Sequence, residues 1–159
     1  MKTIDIKITM LLKQENELDD TERDLIEKAK QATVRSYAPY SNFSVGAALM
    51  LENGKTLTGS NQENCAYPSG LCAERTTLFY ANSRFPDQKI TCLAIAARDT
   101  SGEFTRMPIS PCGACRQVFT EVYHRQKFPF KVLLYGTDGT YVVSSPLDLM
   151  PISFDSSYL

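Results

Sequence analysis

Cys72, Glu74 and Arg75 fall within four residues in the stretch Ser69-Gly-Leu-Cys-Ala-Glu-Arg75, and forty residues later Pro111 precedes a Cys112-x-x-Cys115 pair. Each of the three cysteines stands where the pattern predicts a helix to begin. A helix N-terminus favours the thiolate, and the thiolate is the form that binds metal. Three thiolates brought together suit zinc. Catalytic zinc sites use three protein ligands and leave a position for water, whereas structural sites close with a fourth. The single histidine, His124, lies at the far end of its helix, and Cys65 and Cys92 have no evident route to the cluster. A three-ligand site with a free position therefore fits the spacing better than a closed four-cysteine site.

Around such a site the neighbours acquire roles. Glu74, two residues beyond a ligand, can reach the open position and carry protons for a water there; alone, it reads as a first-turn acid favourable to the helix dipole. Three thiolates on Zn²⁺ leave the site at −1, which opposes the water activation that zinc provides. Arg75 can donate to ligand sulfurs and draw off that charge; otherwise it is a solvated arginine.

The elements that must position these groups follow from periodicity. Leu25, Ile26, Ala29 and Ala32 form a helical face, with Thr21 as the expected N-cap and Asp24 three residues on, so a first helix is expected over about Thr21 to Ser36. The apolar runs around Asn53-Gly54 predict a hairpin. A helix is expected from Cys72 to about Asn82, and Ile90 to Ala97 is apolar on both faces, as in buried, usually parallel strands. A third helix follows Pro111 as far as about His124, then strands over Lys131–Tyr135 and Tyr141–Val143. The order α-β-β-α-β-α-β-β describes a mixed sheet between helices. Ahead of it, Ile4, Ile6, Ile8 and Met10 alternate with polar residues, the period of a half-buried strand. Residues 1–20 are read as an N-terminal arm and 21–159 as one domain.

Seventeen basic residues against eighteen acidic ones carry no electrostatic footprint for nucleic acid. No apolar run reaches the length of a signal peptide or a membrane span, so no membrane partner and a cytoplasmic location are expected. Five cysteines in a reducing compartment point to metal or catalysis before disulfides.

The pattern C-x-E … P-C-x-x-C resembles that of the zinc deaminases of nucleobases. The likeness extends to Tyr37-Ala-Pro-Tyr-Ser-Asn-Phe-Ser-Val-Gly-Ala-Ala48, Asn61-Gln-Glu-Asn64, Cys72-Ala-Glu-Arg75 and Pro111-Cys-Gly-Ala-Cys-Arg-Gln117, in that order. Over roughly residues 21–155 the chain resembles the small homotetrameric, zinc-dependent cytidine deaminases of pyrimidine salvage. The resemblance implies a three-layer α/β/α fold with a five-stranded mixed sheet and hydrolytic deamination of cytidine and 2′-deoxycytidine. It implies one Zn²⁺ per subunit on Cys72, Cys112 and Cys115, with Glu74 as proton shuttle and Arg75 on the thiolates. It further implies Phe43 against the pyrimidine, Asn61 and Glu63 on the ribose 3′-hydroxyl, and the backbone of Ala73 at the pyrimidine edge. Phe154 corresponds to a phenylalanine that closes over the base from another subunit, and Tyr67 to a residue reaching a neighbour's nucleoside.

The chain departs from that family in its longer N-terminal extension, in Cys65 at a position that often holds a small residue, and in the tail Asp-Ser-Ser-Tyr-Leu, which lacks the usual acidic ending. Two other readings share the metal signature: a deaminase of another nucleoside-like substrate, of the blasticidin type, and a zinc-binding interaction domain without catalysis.

Overall fold

The structure, a computed structural model, describes residues 1–159. Three helices, α1 (Asp20–Ala32), α2 (Ala73–Arg84) and α3 (Gly113–Gln126), accompany six strands. The strands are β1 (Leu11–Lys13), β2 (Ser44–Leu51), β3 (Thr56–Ser60), β4 (Ile90–Arg98), β5 (Lys131–Gly136) and β6 (Gly139–Val143). They lie in one sheet in the order β1-β6-β5-β4-β2-β3. Only β4 and β5 are parallel, and α3 makes the crossover between them. The double-sided apolar strand β4 is thus parallel on one edge and antiparallel, to β2, on the other.

The two faces of β4 explain the three layers. Cys92, Ala94 and Ala96 pack with Leu25, Ile26 and Ala29 of α1, whereas Leu93 and Ile95 pack with Leu78 of α2 and Phe119 of α3. Small residues on the first face let α1 lie close. At Gly46 on β2, a Cβ would sit 2.1 Å from the Ala29 carbonyl oxygen, so no side chain fits beneath that helix. On the second face, a Cβ at Gly59 would come within 2.5 Å of Thr77 Oγ1, and α2 is correspondingly close to β3. No helix is long and apolar enough to cross a membrane.

Three expectations change. The sheet has six strands and not five, because Leu11↔Val142 through Lys13↔Thr140 add β1 beside β6. The alternating Ile4–Met10 segment forms no ladder: β6 ends at Val143, one residue past the partner of Leu11, so residues 4–9 lie beyond the end of that strand, and the whole segment stays exposed. Helix α1 begins earlier than Thr21. Asp19 caps it by accepting from the Glu22 backbone N–H at 2.8 Å, and the Glu22 carboxylate accepts from the Asp19 N–H at 3.1 Å. The reciprocal Asp19–Glu22 box outcompetes the Thr21–Asp24 alternative, since aspartate is the stronger cap and glutamate is the acid that closes a capping box. Glu22 also accepts from Lys131 at 2.6 Å and Lys13 at 2.9 Å, which ties α1 to β5 and β1.

Candidate metal and substrate site

Cys72 is the N-cap of α2, Cys112 the N-cap of α3, and Cys115 lies in the first turn of α3. Both helices pack on the same sheet face, so their N-termini bring residues forty positions apart together. Cys72 and Cys112 sulfurs are 3.7 Å apart, Cys112 and Cys115 sulfurs 3.5 Å, and all three ligand atoms lie within 4.8 Å of one another. Tetrahedral zinc with Zn–S bonds of about 2.3 Å holds its sulfurs roughly 3.8 Å apart. The donor set therefore fits zinc in both chemistry and spacing. The other candidates for a fourth ligand are elsewhere: Cys92 is in the core against α1, its thiol pushed up to about 12 by burial, and His124 faces Asp155 at 3.5 Å. Cys65 is exposed and outside the sulfur cluster.

The charges around the sulfurs are arranged to keep a thiolate. Cys115, then Arg75 and Cys112, hold the Cys72 thiol down at about 5 against its burial, while Cys115 is pushed up by hydrogen bonding to Cys72 and by burial. Arg75 Nη2 donates to Cys72 Sγ at 3.8 Å, and Nε of the same guanidinium is buried without a partner. An unpartnered buried N–H is rare, and its neighbour here is a set of sulfurs that carries net negative charge on metal binding. Glu74 is 4% exposed. Burial pushes its carboxyl above the usual carboxylate range, an effect that its own backbone N–H, Cys115 and Arg75 oppose without cancelling. Ala73, fully buried, is the first residue of α2 and so carries one of the amide groups that the helix itself leaves unmatched.

A cleft of about 430 Å³ opens beside Cys72 and Arg75, with Leu71, Asn61, Glu63 and Tyr67 in its walls. Tyr67 is 77% exposed and meets Tyr40 edge to face, with ring centroids 6.2 Å apart. Phe43, half-buried, is not part of the lining, and neither are Ala73 or Glu74. Phe154 is 60% exposed and also lies outside its own chain's cleft.

Asn61 and Glu63 are more committed than their types suggest. Asn61 Oδ1 accepts from the Val45 N–H at 2.8 Å and from Ser36 Oγ at 2.5 Å, and Nδ2 donates to the Phe43 carbonyl at 2.9 Å. Both lone pairs and one N–H are used, and one N–H remains. Glu63 Oε2 accepts from the Tyr40 and Ser41 N–H groups at 2.9 and 3.3 Å, and Oε1 from Ser41 Oγ. One acceptor position on Oε1 remains.

Tyr40, Ser41 and Gln62 also line the cleft and are not singled out by residue type. Gln62 bridges Tyr37 on one side and Leu71 on the other through the backbone, drawing three separate segments into one wall. Backbone pairing across such distances leaves no local mark; only the unusual density of Tyr, Pro, Asn and Ser over residues 37–44 signals that stretch.

Against known proteins, the family described as "Cytidine and deoxycytidylate deaminase zinc-binding region" matches residues 19–130. The chain is 48% identical over 135 residues to a cytidine deaminase of Sporosarcina psychrophila, covering 85% of this chain and 92% of that one. With a cytidine deaminase of Halalkalibacterium halodurans the identity is 38% over 130 residues, covering 82% and 91%. A crystal structure of cytidine deaminase from Burkholderia pseudomallei superposes with a TM-score of 0.71 at 42% identity, covering 83% of this chain and 98% of that one.

Proposed function

The chain belongs to the cytidine and deoxycytidylate deaminase family, and from that premise we propose that it hydrolyses cytidine and 2′-deoxycytidine to the uridine counterparts and ammonia, with Glu74 as its proton carrier. The observation that carries the reading is the convergence of three cysteine sulfurs, one of which lines a cleft of about 430 Å³, with the buried carboxyl of Glu74 two residues beyond that cysteine.

Cys72, Cys112 and Cys115 hold the zinc, and zinc when bound supplies Lewis acidity that makes water a nucleophile at neutral pH. Glu74, almost sealed from solvent on the first turn of α2, takes one proton from the attacking water and delivers it to N3 of the pyrimidine. The water oxygen bonds to C4. Glu74 passes the second water proton to the exocyclic amine, the C4–N bond breaks, and ammonia leaves. Arg75 offsets the charge of the thiolates. The backbone of Ala73 bonds the pyrimidine edge.

The hydrogen-bond inventory supports a ribose clamp. Asn61 offers one remaining N–H and Glu63 one remaining acceptor position, the complement of a single hydroxyl. Asn61 has a second task, since its bonds to the Phe43 carbonyl and the Val45 N–H hold the loop that carries Phe43. Phe43 packs against the pyrimidine from that loop.

The assembly is a homotetramer in which Tyr67 and Phe154 complete sites on neighbouring subunits. Two facts support this: both rings are largely exposed, and Phe154 is absent from the cleft of its own chain.

Loss of the ultraviolet band of cytidine on adding purified protein, with zinc measured on the same sample, tests the reading. Turnover of cytidine and deoxycytidine by zinc-loaded protein is expected. No turnover of either would overturn it, and a preference for blasticidin over both would move the chain to another substrate class.

A further inference from the structure

The tail that distinguishes this chain, Asp155-Ser-Ser-Tyr-Leu159, is folded and not splayed. Asp155 Oδ1 accepts from the Ser157 N–H at 2.8 Å and so caps a short 3₁₀ turn over Ser156–Tyr158. That turn brings Tyr158 back onto Phe154, with the two ring planes 11° apart and their centroids 5.7 Å apart. The other oxygen of the same carboxylate, Oδ2, lies 3.5 Å from His124 Nε2 on α3. Two turns earlier on that helix, Gln117 Nε2 donates to the Phe154 carbonyl at 2.8 Å. The segment is therefore pinned at its backbone and at its capping residue, while the two rings it carries remain 60% and 71% exposed.

Exposed rings stacked on each other, on a segment fastened to the helix that begins with Cys112, do not serve the core of this chain. We propose that Tyr158 is a positioning residue for Phe154: its ring backs the closing phenylalanine so that Phe154 meets the pyrimidine nucleoside as a pre-set flat wall. This rests on the reading of Phe154 given above. An isolated phenylalanine on a chain end would have to be ordered with each binding event, whereas offset stacking limits the orientations of the ring beforehand. Gln117 and His124 hold the base of the device, and Tyr158 sets its angle.

The test is steady-state kinetics with cytidine on the zinc-loaded full-length protein, comparing Tyr158→Ala, Tyr158→Phe and Phe154→Ala, with assembly size checked by light scattering. Tyr158→Ala is expected to raise KM about 2–10-fold, the span of one aromatic pair, with kcat little changed. Tyr158→Phe keeps the ring and is expected to restore the KM of the parent. A raised KM in Phe154→Ala together with an unchanged KM in Tyr158→Ala overturns the bracing role and leaves the reading of Phe154 standing. An unchanged KM in Phe154→Ala overturns both. A Tyr158→Phe variant as impaired as Tyr158→Ala shows that the hydroxyl acts, and it overturns bracing by the ring.

Discussion

Nη2 of Arg75 stands 3.8 Å from the sulfur of Cys72, three residues earlier on the same helix turn, while Nε of that guanidinium is buried without a partner. The side chain is aimed at a sulfur of the cysteine cluster, and a lysine would not present the same planar fork of donors. On the proposed reading this contact offsets the charge that three thiolates would carry in excess of one zinc ion.

Arg75→Ala is expected to keep fold and metal yet lower kcat by about tenfold, the worth of one hydrogen bond to a charged group. Turnover and bound zinc measured on the same preparation check this, and unchanged turnover would sink the charge argument.

Glu74→Gln preserves shape and removes the carboxyl proposed to carry protons. A fall in kcat of about 10²–10⁴-fold is expected, with zinc content and thermal midpoint retained. A variant as active as the parent would end the assignment of Glu74 as proton carrier.

Cys112→Ala removes one of the three sulfurs proposed to hold zinc where α2 and α3 begin. Zinc stoichiometry by atomic emission is expected to fall well below one per chain, and the thermal midpoint by about 5–10 °C. Chelation of the parent should lower its midpoint in the same direction, because metal bound only to the folded state stabilises it. Retention of a full equivalent of zinc would show that Cys112 is not a ligand.

Asn61→Asp keeps both acceptors and loses the donor to the Phe43 carbonyl along with the spare N–H. Two hydrogen bonds of ordinary worth correspond to a rise in KM of about tenfold or more. Kinetics with cytidine, beside circular dichroism to confirm the fold, measure it. An unaltered KM would remove Asn61 from both the clamp and the support of Phe43.

The pH dependence of stability has a source in Glu22, which is 2% exposed between Lys131 and Lys13. Burial raises its pKa most, but hydrogen bonds from Lys131 and Lys13 outweigh it, and the carboxyl sits below its ordinary value of 4.5. A group whose folded pKa is depressed stabilises the fold fully above its unfolded pKa, and that stability drains away as pH falls through the folded value. Glu22→Gln is expected to cost about 2–3 kcal/mol at pH 7, less than a wholly buried pair because both lysines are partly exposed. The difference between parent and variant should shrink as denaturation is repeated from pH 5 down to pH 3. A difference that stays constant over that range would show that the pair contributes no acid sensitivity.

The elements were largely legible because their causes are local. The hairpin at Asn53-Gly54 follows from turn chemistry, with Gly54 at φ +79°, and both cysteine-led helices begin at the cysteines where runs of helix-forming residues start. Where neighbours overrule propensity, reading by type fails. The Ile4–Met10 alternation has the period of a strand but no partner, and Thr21 loses the helix start to a carboxylate box that two distant lysines reinforce.

For the site, residue types and spacing were sufficient to single out the three cysteines that the fold gathers into one cluster, with Glu74 and Arg75 beside them, because few residue types offer a thiolate, a carboxylate or a guanidinium. Only the tertiary structure decided what each group has left to give. Asn61 and Glu63 enter the cleft with most of their hydrogen-bonding capacity spent on the loop from Ser36 to Val45, and Tyr158 lies against Phe154 because Asp155 turns the chain back. Those outcomes depend on contacts between segments far apart in the chain, and such contacts are set by packing and not by the identity of any one residue.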